Sequence, residues 1–396
     1  MPGPFLRKSL LLHWIFVFQG AFGELELARP FGSHMVLPRE KPVPVWGTAA
    51  PGAEVTVKFG GAEVSDKTDP SGNWRVVLPA MEASIKGRTL LVFTSAGSVQ
   101  ECVDVLVGEV WLCSGQSNMD FSLARSVGGK EEVGAAGSLP AIRLFNLTGV
   151  STGRVKYGER ERARLVADKF FEGKWQMASP ESAAGFSAVA WWAGKEIHQR
   201  TGVPVGLIDN SVGGSGAEAW VPRELLAKRI EYAELLGGNW IESERVSAWA
   251  RGRARVNLGG GVGNHPFRPG FLFDSGVRWW AGFPLDGVLW YQGETNAEIH
   301  DDAWNELLIT DLVHGWRGVL RQPELPFFMV QLPRIGGNDP MRKWWPQFRA
   351  VQARAAEKLD GVEVIVTKDL GWDSPDVHPP DKRPVGERLG KAAAAR

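Results

Sequence analysis

The hydrophobic pattern of the first hundred residues has the period of β-strands. Within residues 24–104, apolar positions alternate with polar ones or form short β-rich runs, as in Val55–Phe59, Trp74–Leu78 and Leu90–Thr94. Turn-forming residues such as Asp69–Asn73 separate these runs. A period of two is typical of strands with one buried face, so this segment is predicted to be a small N-terminal β-sandwich domain.

From residue 105 onward, short apolar runs alternate with segments of helical period. Apolar residues recur at helical spacing from Trp304 to Trp316 and from Phe348 to Leu359. The apolar runs are typical of strands buried on both faces. These runs are Val105–Cys113, Val205–Ile208, Gly287–Tyr291, Phe327–Val330 and Val362–Val366. Strands that alternate with helices predict a doubly wound α/β domain with a parallel sheet over residues 105–396.

Two segments of this second part lack a clear period. Residues 123–182 and 225–275 are rich in glycine and charged residues. We therefore predict long loops or insertions there, which are common places for substrate selection.

The first residues of the chain resemble a secretion signal. Arg7 and Lys8 precede an apolar run from Ser9 to Phe18, and Ala21–Gly23 supplies small residues for cleavage. The run is too short to favour a membrane-spanning helix over a signal. Residues 1–23 are predicted to be a signal peptide, and the protein is predicted to be secreted or periplasmic.

Composition narrows the classes of partner. The 45 Lys and Arg residues equal the 45 Asp and Glu residues, so charge gives no reason to expect nucleic acid or a membrane surface as partner. The chain has 18 Trp and only 3 Tyr. Most of these Trp side chains are expected in the core, and some could stack on sugars. The chain has two cysteines, Cys102 and Cys113, which is too few for a disulfide framework or a cysteine metal cluster. One bridge or two buried thiols both fit.

Polar residues follow four of the predicted strands at the point where each strand ends. Because the carboxyl ends of parallel strands meet at one edge of a sheet, we expect these clusters to lie together. The clusters are Ser117, Ser211–Ser215, Gln292–Asn296 and Asp373–His378.

These clusters contain the parts of a serine esterase. Ser117 needs a base to act as a nucleophile at neutral pH, and His378 is the first candidate. His300 is a rival, but it leads into a predicted helix and a surface role suits it better. Asp376 would orient the His378 imidazole and stabilise its charged form, and Asp373 is a second candidate for that role.

Ester hydrolysis also needs hydrogen-bond donors for the developing oxyanion. The backbone of Gly213 or Gly214 could supply them, because no side chain blocks approach there. The Ser117 N–H and the side-chain amide of Gln292 could complete the set. Glu294 is expected to hold the Gln292 loop through backbone N–H groups.

Several segments resemble the sialate O-acetylesterase family within the SGNH hydrolases, and the resemblance covers most of the chain from residue 24. The strongest match is Trp111–Met119. The others are Met35–Arg39, Val43–Gly47, Phe186–Ala190, Pro204–Ile208, Gly213–Gly214, Glu218–Trp220, Trp290–Asn296 and Asp376–Pro379.

The resemblance implies a three-layer α/β/α SGNH-hydrolase domain that removes acetyl groups from sugars, without a metal or other cofactor. It implies Ser117 as nucleophile, His378 as base and Asp376 as orienting acid. Asn118 and Glu294 are expected to support the site.

One departure from the superfamily pattern concerns the acid. Many SGNH hydrolases carry it three residues before the histidine, where this chain has Pro375. Asp376 stands two residues before His378, so Asp373 and Glu294 remain alternatives.

The expected substrate is an acetylated carbohydrate, sialic acid or another acetylated glycan. Two other functions fit parts of the sequence. A non-catalytic sugar-binding protein would use the Trp residues and the β-domain. A general carboxylesterase would use the same fold and the same serine.

Overall fold

The computed structural model of the protein describes residues 23–261, 263–337 and 342–396. Apart from Gly23, the predicted signal peptide lies outside these ranges. No helix within them is long and apolar enough to cross a bilayer.

The first part of the chain is built of β-strands, as the alternating pattern predicts. In β6, for example, every second residue is buried. The strands are β1 (Glu26–Leu27), β2 (Val36–Pro38), β3 (Val43–Thr48), β4 (Glu54–Phe59), β5 (Ala62–Lys67), β6 (Asn73–Leu78), β7 (Ser84–Thr94) and β8 (Val99–Gly115). Strands β1, β3 and β6 form one antiparallel sheet. Strands β5, β4, β7 and β8 pair antiparallel in a second sheet, with β2 parallel to β8.

Strand β8 joins the two parts of the molecule. Its first half pairs with β7 and β2, and its second half lies in the centre of the sheet that follows. The predicted domain boundary after residue 104 therefore falls inside one continuous strand. Asp104 has a left-handed φ of 55°, and the β7–β8 register is irregular nearby. Its carboxylate accepts hydrogen bonds from His34 and Arg143, 2.9 and 2.5 Å away.

The remaining strands form a sheet around the second half of β8. They are β9 (Ile142–Asn146), β10 (Trp175–Met177), β11 (Val205–Ser211), β12 (Gly287–Tyr291), β13 (Phe327–Val330) and β14 (Val362–Ile365). The strand order is β10-β9-β11-β8-β12-β13-β14. All neighbours are parallel except the edge strand β10, which is antiparallel to β9. The α/β class and all five predicted strands are confirmed.

The prediction of long loops over residues 123–182 was wrong in part. Strand β9 lies inside this segment and sits between β10 and β11, and β10 lies there as well. In the sequence, Arg143 interrupts the apolar run of β9, so no strand was predicted there. In the structure its side chain is buried and donates to Asp104.

The helices lie between these strands in the chain, except α12, which follows the last strand; α5, α11 and α12 contact strands of the sheet. They are α1 (Gly129–Ala135), α2 (Glu159–Ala163), α3 (Ala167–Phe170), α4 (Pro180–Ala184), α5 (Ala188–Thr201), α6 (Arg223–Leu226), α7 (Ala233–Gly237), α8 (Ala248–Leu258), α9 (Phe271–Ser275), α10 (Asp302–Leu320), α11 (Trp345–Glu357) and α12 (Arg383–Ala393). The two helices predicted from apolar spacing correspond to α10 and α11.

Neighbouring residues of β8 face different hydrophobic clusters. Val110 and Leu112 pack in the cluster that contains residues of α10 and α11, whereas Trp111 and Cys113 pack with residues of α5 and α12. Apolar contact on both faces explains the near-continuous apolar runs of the central strands.

Two glycines allow α12 to lie close against α5. A Cβ at Gly386 would stand 2.5 Å from the Trp192 Cβ and 2.7 Å from the Val189 carbonyl oxygen. A Cβ at Gly390 would stand 2.5 Å from the Ala193 carbonyl oxygen. This close packing fixes the start of α12, next to the segment that carries His378.

Cys102 and Cys113 are buried and unbridged. Both lie on β8, and an extended strand holds two such positions far apart. The sequence left open either one bridge or two buried thiols, and the fold permits the two buried thiols.

Candidate active site

Ser117 lies in a tight turn directly after β8. Gly115 makes this turn possible, since its φ is 140° and a Cβ there would stand 2.0 Å from the Tyr291 carbonyl oxygen. The Gln116 N–H donates to that same oxygen at 3.0 Å. The turn is thereby held against the end of β12, and Ser117 stands at the carboxyl edge of the sheet.

The structure brings Ser117, His378 and Asp376 together. The His378 Nε2 lies 2.8 Å from the Ser117 Oγ, although the two residues are 261 positions apart. The His378 Nδ1 lies 2.7 Å from the Asp376 Oδ1, and the His378 N–H donates to the same oxygen at 3.1 Å. With Nδ1–H directed at a carboxylate, Nε2 is left to accept the Ser117 proton.

Electrostatics favour the neutral form of His378 and the charged form of Asp376. Burial lowers the pKa of His378, and this effect with the nearby cations Lys382 and Arg125 outweighs the raising effect of Asp376. Desolvation raises the pKa of Asp376, but hydrogen bonds from His378 outweigh it and hold that pKa below its ordinary value. A neutral imidazole beside a carboxylate is the state needed by a general base.

The alternative acids lie elsewhere. The Asp373 carboxylate is exposed and accepts from Arg334 Nη1 at 2.7 Å. Glu294 is buried and accepts from the Asn118 side chain. His300, the alternative base, is exposed, and its ring centroid lies 4.2 Å from that of Trp344.

The two glycines of the predicted oxyanion hole have different surroundings. Gly213 lies beside the serine, since a Cβ there would stand 3.6 Å from the Ser117 Cβ. Its N–H donates to Asp120 Oδ2 at 3.2 Å. Gly214 has a φ of 79°, and a Cβ there would stand 2.3 Å from the Trp249 ring. The backbone N–H of Ser117 donates to no other residue within the described ranges.

Gln292 corrects the sequence prediction. Its side chain is buried, and its amide nitrogen donates to Asn296 Oδ1 at 2.6 Å, Gln116 Oε1 at 3.1 Å and the Ser215 carbonyl oxygen at 3.4 Å. The structure therefore does not direct this amide at the Ser117 side chain. The end of β12 was placed correctly, but the side chain faces the interior.

Asn118, Glu294 and a residue that the sequence did not single out, Lys382, form a buried group behind the serine. The Asn118 amide nitrogen donates to Glu294 Oε1 and, at 2.9 Å, to the Val377 carbonyl oxygen. The Lys382 ammonium donates to Asn118 Oδ1. A lysine just before a helix, here α12, carries no sequence signal for burial, so only the fold reveals it.

A cleft of about 580 Å³ opens above Ser117 and His378. Thr152 and Trp249, from the two segments predicted as insertions, line it. Trp249 is 40% exposed, an unusual state for so large an apolar ring. Charged side chains also line the cleft, namely Arg125, Arg253, Arg342, Glu294 and Glu298.

Known proteins resemble the chain in sequence. The family model described as carbohydrate esterase, sialic acid-specific acetylesterase, matches residues 274–395. Mouse sialate O-acetylesterase is 28% identical to the chain, over all of this chain and 77% of that protein. The human sialate O-acetylesterase is 27% identical, over 89% of this chain and 66% of that protein.

A solved structure resembles it in fold as well. The crystal structure of a carbohydrate acetylesterase from Xanthomonas citri superposes with a TM-score of 0.73 and 31% identity. The match covers 93% of this chain and 74% of that one. The chain belongs to the carbohydrate esterase family of the sialate O-acetylesterases.

Proposed function

We propose that the protein is a carbohydrate O-acetylesterase that works by a Ser-His-Asp mechanism. One observation carries the mechanism: His378 bridges the Ser117 Oγ and the Asp376 carboxylate through distances of 2.8 and 2.7 Å. Membership of an esterase family supports the reaction, and the cleft above Ser117 has room for a sugar.

In the first half of the proposed cycle, the Ser117 Oγ attacks the acetyl carbonyl carbon while the His378 Nε2 takes the hydroxyl proton. The negative charge that forms on the carbonyl oxygen would be held by the N–H groups of Ser117 and Gly213. To do so, the Gly213 N–H exchanges its present acceptor, Asp120, for that oxygen. Asp376 stabilises the imidazolium. The tetrahedral intermediate then collapses, and His378 returns its proton to the departing sugar oxygen.

In the second half, water attacks the acetyl-serine ester. His378 takes a proton from this water, the same N–H groups hold the new oxyanion, and the Ser117 Oγ leaves with the proton from His378. Acetate and the free enzyme result. His378 therefore takes a proton and returns one in each half of the cycle, four transfers in all, and ends in its starting state.

The cleft supports an acetylated sugar as substrate. The exposed face of Trp249 suits the apolar face of a pyranose ring. Arg125, Arg253 and Arg342 outnumber the cleft carboxylates Glu294 and Glu298, which favours a sugar with negative charge, such as sialic acid.

The test is acetate release from O-acetylated sialic acid, acetylated neutral glycans and an aryl acetate. Ser117→Ala should lower kcat by about 10⁴-fold or more, because the nucleophile is lost while binding remains. Ser122→Ala, a nearby serine, is the matched control and should leave kcat unchanged. Activity retained in Ser117→Ala would contradict the mechanism. Faster cleavage of long acyl esters would indicate a general carboxylesterase, and sugar binding without acetate release a binding protein.

We propose the finer architecture on the same basis. Residues 24–104 would be a β-sandwich domain, and residues 105–396 a three-layer α/β/α esterase domain. Apolar contacts on both faces of the sheet support the layers. We also propose a signal peptide over residues 1–23 and a secreted or periplasmic location, supported by Arg7, Lys8 and the apolar run after them. N-terminal sequencing of the mature protein tests this, and a start near Glu24 is expected.

A further inference from the structure

A buried cation lies behind the two reacting side chains. Lys382 precedes α12, four positions after His378, and only 1% of its surface is exposed. Its ammonium lies 4.7 Å from the centre of the Phe121 ring and 6.0 Å from that of Tyr291. Burial of a charged amine is unfavourable unless partners compensate, so the groups around Lys382 are expected to have a specific arrangement.

The compensation comes through Asn118, which is fully buried. Its side-chain oxygen accepts from Lys382, and its amide nitrogen donates to Glu294 and to the Val377 carbonyl oxygen. Both ends of the amide are therefore used. One side chain links the turn after β8, the turn after β12 and the segment before α12.

These links end next to the reacting residues. Asn118 follows Ser117 in the chain, and Val377 precedes His378. The distance between the Ser117 Oγ and the His378 Nε2 depends on how the two segments lie relative to one another. A misplacement of about 1 Å in such a pair can lower the rate about 100-fold.

We propose that Lys382 is a positioning residue, which through Asn118 holds the Ser117 turn and the His378 segment in their reactive arrangement. The inference rests on the proposed function, because the arrangement matters to turnover only if these two residues react. Lys382 takes no part in bond making or breaking.

The charge of Lys382 gives this role a distinct signature. Burial has the largest effect on the pKa of His378 and lowers it. Three charged groups face His378: Asp376 raises this pKa, whereas Lys382 and Arg125 lower it. Removal of the Lys382 charge should therefore raise the pKa of His378.

Lys382 has charged neighbours of its own. Burial lowers its pKa to about 7, against the raising effects of Glu294, Asp376 and Asp381, and Arg125 lowers it further. The ammonium form therefore predominates below about pH 7, and the lowered pKa of His378 lies in that range.

The experiment compares Lys382→Met with Lys391→Met, the same substitution at an exposed position of α12. In Lys382→Met, kcat for acetate release should fall about 10-fold or more, with KM within about 2-fold. The pKa of His378, followed by ¹³C NMR of labelled histidine, should rise by about half a unit or more. Lys391→Met should change neither quantity.

A second variant separates the hydrogen bond from the charge. Lys382→Gln retains a donor for Asn118 but no charge, so it should keep more of kcat than Lys382→Met and show the same rise in the pKa of His378. It also serves as the test if Lys382→Met does not fold.

Two results would overturn the proposal. One is a folded Lys382→Met with wild-type kcat, and the other is a loss of kcat with an unchanged pKa of His378, which indicates mere structural damage. Failure of the proposed function looks different, because wild type then releases no acetate or Ser117→Ala remains active. The NMR titration reports the effect of Lys382 on His378 in that case too.

Discussion

Two rows of hydrogen-bonded side chains join the turn after β8 to the segment before α12. The outer row is Ser117, His378 and Asp376. The inner row is Glu294, Asn118 and Lys382. In the outer row the His378 and Asp376 side chains are 31% and 56% exposed, whereas the inner row is 6% exposed or less throughout.

The difference between the rows is one of access. The outer row borders the cleft, so its base can exchange a proton with a substrate. The inner row is buried: Glu294 reaches the cleft with a side chain that is nearly covered, and Asn118 and Lys382 lie behind the serine, where the Lys382 charge acts on His378 through space. We infer that polar groups at one sheet edge divide into those that react and those that hold the reacting groups in place.

After the loss of Ser117 itself, the largest expected effect comes from Asp376, at the end of the outer row. Asp376→Ala should lower kcat by about 10²- to 10⁴-fold, because the imidazole loses the carboxylate that orients it and stabilises its charge. Asp373→Ala is the matched control, and its kcat should stay within about 2-fold of wild type, since Asp373 binds Arg334 at the surface. Steady-state kinetics on an aryl acetate measures both. If Asp373→Ala lost more kcat than Asp376→Ala, Asp373 would be the acid that orients His378.

A smaller loss of activity is expected at Gln292. The sequence predicted its side chain among the reacting groups, but the structure places it in the protein interior. Gln292→Leu should reduce the free energy of unfolding by about 1–3 kcal/mol, since Gln116 and Asn296 lose a buried donor. Its kcat should fall less than 10-fold, whereas loss of an oxyanion donor lowers kcat about 100- to 1000-fold.

Urea unfolding and steady-state kinetics of the same samples measure the two quantities. Gln347→Leu, on the exposed side of α11, should change stability by less than about 0.5 kcal/mol. If Gln292→Leu were as stable as the wild type but lost kcat 100-fold, Gln292 would be an oxyanion donor after all.

The smallest effect is a shift in pH dependence. The reaction needs neutral His378, so kcat/KM is lost as the pH falls through the pKa of this residue in the free enzyme. Burial, with Lys382 and Arg125, lowers that pKa, so half of the maximum should be reached below the ordinary histidine value of about 6.5. In Asp376→Ala the midpoint should move lower still, because Asp376 raises the pKa of His378. A midpoint above 6.5 in the wild type would contradict the described environment.

The parallel strands were the predictable part of the fold. Four of the five runs, all but the edge run Val362–Val366, are buried along their length because both faces of the sheet are covered there, and this leaves a signal in the sequence itself. Strand β9 was not predicted because Arg143 interrupts its short apolar run. The carboxylate that pairs with this arginine, Asp104, lies on another strand.

The sequence by itself determined which segments meet at the site. Ser117, Gly213 and His378 each follow a strand end, and the rule that parallel strands end at one edge needs no side-chain coordinates. Only the tertiary structure decided where each side chain points and how deeply it lies. Gln292 turned inward and Lys382 became buried, because direction and burial depend on contacts between distant segments, which local periodicity does not record.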